Sequence, residues 1–212
     1  MFKKTILSYI LLTGIFILLT VSCELTRNDC GPFNNSNYKI TGFDTSLKQL
    51  TASDSTMKSF ELNNFDNDSI AFNEFAIHMI PNTESYTINS KFKFGISFSE
   101  MAYACSPPIP SSEDRITDIQ IFSSKSYTTD FSSSENIAEL FDIIVLYHAE
   151  SYQSTQLTDY LATKPEAPIE IILVPNTPPS TTQSFEFQVK YYQNGLELDE
   201  FEFTTKSAVL VN

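Results

Sequence analysis

The stretch Phe185-Glu186-Phe187-Gln188-Val189-Lys190-Tyr191-Tyr192-Gln193-Asn194-Gly195 decides the fold class. Phe185, Phe187, Val189 and Tyr191 alternate with Glu186, Gln188, Lys190 and Tyr192, the period of a strand with one buried face. Asn194-Gly195 follows as a hairpin turn signal. The returning arm runs through Leu196 and Leu198, then changes parity to Phe201, Phe203, Val209 and Val211. A parity change moves side chains to the other face, so a bulge is expected near Asp199-Glu200.

The same alternation is cleaner still at Tyr86–Met101, where Ile88, Phe92, Phe94, Ile96 and Phe98 interleave with polar residues. Ala102–Ser112 reads as a loop, because Pro107, Pro108 and Pro110 cannot donate to a ladder. Strands are predicted at Tyr38–Phe43, Ile116–Phe122, Ile143–His148 and Ile169–Val174; residues 44–68 fit no single pattern. In Ile70–Ile80 the parity shifts from Ile70 and Phe72 to Phe75, Ile77 and Met79, which predicts a bulge at Asn73-Glu74. Two short helices are expected. Ser132 and Glu135 form a capping-box pattern ahead of Ile137, Ala138, Leu140 and Phe141. Ser154 or Thr155 would cap a turn through Leu157, Tyr160 and Leu161, ending near Pro165. Short strands punctuated by turns, without βαβ alternation, predict a mainly β chain. The expected architecture is an antiparallel β-sandwich, Ig-like or related, with one or two short helices. With 18 Phe and 10 Tyr against 5 Gly, the chain holds enough aromatic surface for a sizeable core.

The first residues have another purpose. Lys3 and Lys4 precede an uncharged run from Ile6 to Val21, the basic and apolar regions of an export signal. The run is about 16 residues, short of the ~20 that a spanning helix needs. It ends at Leu19-Thr20-Val21-Ser22-Cys23, which resembles the lipobox cleaved by the bacterial lipoprotein signal peptidase, with Thr20 where that pattern usually has leucine. The resemblance implies that residues 1–22 are removed and that Cys23 takes a diacylglyceryl group and an N-acyl chain such as palmitate. At about 0.8 kcal/mol per buried methylene, several chains hold a protein to a bilayer. The alternative is a plain secretory signal cut near Ser22, with Cys23 an ordinary thiol. Residues 23–36 then read as a short tether, reaching roughly 20 Å, and residues 37–212 as one domain.

Charge narrows the partners. The chain has 13 basic and 26 acidic residues, a net charge of −13, and loss of Lys3 and Lys4 takes this to about −15. Such a surface repels nucleic acid and anionic head groups, so membrane attachment is expected through the lipid alone. With Cys23 assigned to lipid, Cys30 and Cys105 remain as an even pair. In an oxidising envelope they suit a disulfide worth on the order of 4 kcal/mol; two free thiols are the alternative.

Catalytic and metal motifs are sparse. His78 falls on the face opposite Phe75, Ile77 and Met79, and His148 ends an apolar strand; both read as structural residues. No His-Glu-x-x-His, Gly-x-Ser-x-Gly or glycine-rich phosphate loop occurs, whereas a Ser–His–Asp triad assembled from separate strands stays open. Asp66 and Asp68 are candidate calcium ligands, but Ala71 stands where a calcium loop needs glycine, and an Asx turn is the simpler reading. No cofactor is otherwise implied. Glu113 and Asp114 flank Arg115 and read as a surface charge cluster, and Tyr152 and Tyr192 as exposed rings able to stack on sugars.

Tyr103-Ala104-Cys105-Ser106-Pro107-Pro108, the following Glu113–Ile119, Leu157-Thr158-Asp159-Tyr160-Leu161, Lys164-Pro165 and Ile171-Ile172-Leu173, taken with the leader and Cys23, resemble a family of Bacteroidetes cell-envelope lipoproteins of unknown function. The resemblance implies an envelope β-sandwich and supplies no catalytic residue. The expectation is a lipid-anchored binding or interaction module without catalytic activity, probing a protein or glycan ligand, on the outer membrane with its facing undecided. Two alternatives are a fimbrial or structural subunit that exchanges strand Ala208–Val211, and a hydrolase using surface carboxylates.

Overall fold

The computed structural model describes residues 36–52, 60–65, 69–87, 111–112, 114–147, 151–195 and 200–212. They fall within one compact unit, Ser36–Ile88 with Ile109–Asn212. The chain is mainly β, as the alternation requires. The largest sheet runs in the order β2 (Phe60–Asn64), β1 (Ser36–Ala52), β4 (Phe75–Thr87), β9 (Glu170–Pro175), β7 (Phe141–Tyr147) and β8 (Ser151–Gln156). A two-residue strand, β5 (Ser111–Ser112), adds to β1 in parallel. Two three-stranded sheets complete the fold. One is β12 (Glu200–Thr204), β11 (Phe187–Asn194) and β6 (Arg115–Ser123); the other is β10 (Gln183–Phe185), β13 (Ala208–Val211) and β3 (Ser69–Ala71). All named pairings are antiparallel except β1 with β5 and β13 with β3.

The sheets pack as a sandwich around Phe187. Its ring lies 5.4 Å from Phe75 and 5.9 Å from Phe141, both on the large sheet, and 5.9 Å from Phe185 on β10. Phe75, Ile77, Met79, Ile143, Val145, Ile171 and Leu173 point inward from one layer; Ile119, Ile121, Val189, Tyr191 and Leu210 answer from the other. Burying one such side chain stabilises by about 1.5–3 kcal/mol, and each aromatic pair adds about 0.5–1.5 kcal/mol. Tyr127 joins this core from a loop, fully buried, with its hydroxyl donating to the Thr177 carbonyl at 2.9 Å.

Several local expectations are corrected. The parity shift after Ile70 is a change of sheet, not a bulge: a single 3-10 turn at Phe72–Glu74 carries the chain from β3 into β4. The C-terminal phase is reversed. Ala208 and Leu210 are the buried residues of β13, whereas Val209 and Val211 face outward, because the segment 205–207 breaks the ladder after β12 and resets the alternation. Strand β1 is far longer than Tyr38–Phe43. The Glu135 carboxylate does accept the Ser132 N–H, but only a 3-10 turn at Ala138–Leu140 follows, with Ile137 at its N-cap position and the Ala138 N–H donating to Asn136 Oδ1 rather than to Ser132. The one α-helix among the described residues, α1 (Leu157–Ala162), buries Leu157 and Tyr160. Its N-cap is Gln156, the last residue of β8, with Ser154 and Thr155 also in that strand. It ends at Thr163, before the left-handed Lys164 (φ 48°) and Pro165. The expected strand over Tyr86–Met101 lies outside the described residues beyond β4, as does the expected bulge at Asp199-Glu200 apart from Glu200.

Candidate ligand-binding site

Three polar arrangements stand out from the packed core. The first joins the two layers at one end. Asp114 is buried, and its Oδ2 accepts the backbone N–H of Ile40 at 2.9 Å. Strand β5 pairs with Asn37 and Tyr38 on β1, and two residues later the Asp114 carboxylate takes the next donor along the same edge. Nearby, the Tyr38 hydroxyl donates to the Ala167 carbonyl at 3.1 Å. Asp114 is therefore no member of a surface charge cluster. Arg115 is exposed and reaches Glu166 at 3.6 Å instead.

The second lies on the face of the large sheet turned away from the sandwich interior. Leu50, Ala76, Ile144, Ile172 and Val174 form a buried cluster there, with Phe60, Leu62 and Tyr152 packed against it. Phe60 and Tyr152 belong to the two terminal strands of the β2-to-β8 path, yet their ring centroids are 4.4 Å apart. The sheet therefore coils until its far strands touch, and this face is concave. Within it, His78 Nε2 lies 2.7 Å from Glu170 Oε1, and the Tyr152 hydroxyl donates to Glu170 Oε2 at 3.3 Å. Burial, then the Glu170 carboxylate and its hydrogen bond, raises the Tyr152 hydroxyl above its usual value, so it remains a donor. Tyr152 is thus half-buried and committed rather than an open sugar platform. Ser46 stands opposite His78 in the β1–β4 register. His78 is bonded to Glu170 and not to Ser46, so the base of a hydrolytic triad is not assembled on that serine.

The third is a cleft of about 540 Å³ between β1 and the segment that joins β12 to β13. One wall is Thr45, Ser46 and Leu47, in the part of β1 that lies between its pairing with β5 and its pairing with β2, which starts at Lys48↔Asn64. The other wall runs from Thr204 to Ser207. Phe65 and Ile77 supply apolar lining, and Asn64 closes one side. The volume falls within the range of small-molecule sites, about 300–1,000 Å³. Thr205 Oγ1 accepts the Phe187 N–H at 2.9 Å, and Ser207 Oγ meets Ser184 Oγ, so the wall is pinned to β11 and β10.

Sequence reasoning placed His78 on the correct face but missed Glu170 and Tyr152 as its neighbours, and it missed the cleft. Cys23, Cys30 and Cys105 lie outside the described residues, as do Asp66, Asp68, Glu113 and His148. Tyr192 is half-buried on β11. No group of three metal-ligating side chains occurs among the described residues, and none of their helices is long and apolar enough to cross a membrane. Comparisons with protein-family models, with curated proteins and with solved structures return no match.

Proposed function

We propose that this chain is a lipid-anchored binding module of the bacterial cell envelope, tethered through Cys23, with its ligand seated in the cleft between β1 and the β12–β13 segment. The cleft carries this reading. It couples apolar lining from Leu47, Phe65 and Ile77 to polar residues that include Thr45 and Lys206, the mixture by which binding sites fix orientation, and its walls are held by the packed core. The leader and the resemblance to Bacteroidetes envelope lipoproteins support the address, on the outer membrane, and the acidic surface leaves attachment to the lipid. Binding is favoured over hydrolysis because His78 is engaged by Glu170, on the face of the large sheet opposite to Ile77 of the cleft. Strand exchange through Ala208–Val211 is disfavoured by β13 itself, which is paired with β10 on one side and β3 on the other.

The test is retention of the soluble domain on isolated envelope fractions, with the cleft plugged by Thr45→Trp or Lys206→Trp. The expected result is retention on one fraction that either plug abolishes while circular dichroism stays unchanged. Retention unaffected by both plugs, or retention on none of the fractions, would contradict it.

A further inference from the structure

We infer that Asn194 is a site of spontaneous covalent modification, in which its side-chain amide closes on the Gly195 nitrogen and reopens as isoaspartate or aspartate. The dipeptide marks a hairpin turn in the sequence, yet the fold does not use it as one. The last described pair of the β11–β12 ladder is Tyr192 with Glu200, so the connection is longer than a two-residue loop. Neither Asn194 nor Gly195 has the left-handed backbone that an Asn-Gly turn requires. Gly195 is demanded instead by its approach to Asp114. The Asn194 side chain is left without a structural duty.

Three features favour ring closure. Asn194 is exposed as the last residue of β11, and its amide makes no hydrogen bond among the described residues. The Gly195 N–H makes none among them either, so its nitrogen has no partner to leave before attacking. Gly195 also carries no Cβ to obstruct the approach to the Asn194 side-chain carbonyl. Other exposed asparagines differ on these points. Asn176 donates to Asp142 at 2.9 Å and precedes the β-branched Thr177; Asn82 donates to Asp44 at 3.3 Å and precedes Thr83.

The chemistry needs only water. The Gly195 nitrogen bonds to the Asn194 side-chain carbonyl carbon and gives up its proton, and the amide nitrogen leaves as ammonia. Water then opens the cyclic imide. Cleavage between the nitrogen and the side-chain carbonyl gives aspartate. Cleavage between the nitrogen and the main-chain carbonyl gives isoaspartate, whose backbone runs through the former side chain. Both products carry a new carboxylate. Asn194 stands opposite Arg115 in the β6–β11 register, so that carboxylate meets a guanidinium whose present partner is Glu166 at 3.6 Å. Isoaspartate also lengthens the main chain by one atom ahead of Gly195, against the Asp114 carboxylate that accepts the Ile40 N–H. Aspartate is tolerated at this junction; isoaspartate loosens it.

The experiment incubates the full chain in detergent at mildly alkaline pH and follows each asparagine peptide by mass spectrometry. The expected result is an amide-to-acid mass gain at Asn194 that outpaces Asn176 by at least about tenfold, because the β-branched Thr177 crowds the attack there. Two products should separate on chromatography, one of them methylated by an isoaspartyl methyltransferase. Asn194→Gln, whose ring would be one atom larger, should show no gain. The isoaspartyl chain should unfold at lower urea than the fresh chain, whereas Asn194→Asp should match the fresh chain. An Asn194 peptide that keeps its amide mass, equal rates at Asn194 and Asn176, or aspartate formed without isoaspartate would overturn the inference. An isoaspartyl chain as stable as the fresh one would overturn the consequence drawn for Asp114.

Discussion

Gly195 abuts the buried carboxylate of Asp114 so closely that a Cβ added at Gly195 would lie 2.7 Å from Asp114 Cγ. The glycine has no left-handed backbone to explain it; it is required by this approach. Asp114 in turn holds the Ile40 N–H, so the end of β11, the start of β6 and the edge of β1 converge on one carboxylate. Asp114→Ala should cost about 1–3 kcal/mol by leaving a buried donor unmet, with Asp114→Asn milder because an amide oxygen still accepts. Gly195→Ala should cost a similar amount by overpacking. Since both act on one contact, Gly195→Ala should cost less in an Asp114→Ala background. Urea unfolding of the two single variants and the double variant measures this coupling; strict additivity would show that the two residues are independent.

The Phe60–Tyr152 contact makes a second prediction. Truncating either ring to alanine should lower stability, and the double variant should fall short of the sum by about 0.5–1.5 kcal/mol, the coupling expected of an aromatic pair. Tyr152→Phe keeps the ring and loses only its hydroxyl bond, so it should cost about 1 kcal/mol or less. A zero coupling energy in denaturant unfolding would mean that the far strands of the large sheet do not meet.

Glu170 serves two donors at once, His78 at 2.7 Å and the Tyr152 hydroxyl at 3.3 Å. Glu170→Ala should therefore be worse than Tyr152→Phe, costing about 1–3 kcal/mol through groups left without an acceptor. The ranking is read from urea midpoints at constant pH. A Glu170→Ala variant as stable as the parent would remove the pair from the account.

High pH should unfold the domain through its tyrosines. Burial raises the Tyr127 hydroxyl far above the usual tyrosine range, and Tyr152 is raised by burial and then by Glu170. Unfolded tyrosines ionise near pH ~10, so above that pH the folded chain holds protons that the unfolded chain releases. The contribution is fully present below pH ~10 and is lost as pH climbs through the folded values. Denaturant midpoints should fall steeply above pH ~10, with a delayed tyrosinate absorbance, and Tyr127→Phe should flatten that fall. A midpoint unchanged into strong alkali would contradict it.

Much of this architecture is legible in the chain because it rests on local periodicity. The alternation of Phe187, Val189 and Tyr191 and the i, i+3, i+4 spacing of Leu157, Tyr160 and Leu161 each report a buried face directly. What is illegible depends on distant partners. Glu113-Asp114-Arg115 reads as a solvated charge run, and only Ile40, 74 residues away, turns Asp114 into a buried acceptor. His78 and Glu170 are 92 residues apart. The reversed phase of Ala208–Val211 follows from the chain leaving one sheet for another, which periodicity within a strand does not register. The cleft combines Thr45–Leu47 with Thr204–Ser207, two polar stretches that carry no shared pattern.

The membrane attachment proposed for the domain depends on the chemistry of residue 23. Mass spectrometry of the N-terminal peptide of the protein purified from its native membrane tests that most directly. The account predicts a peptide beginning at Cys23 and carrying diacylglyceryl and acyl groups, with Cys23→Ala released to the soluble fraction. An unmodified N-terminus, with Cys23→Ala still sedimenting with membranes, would contradict it.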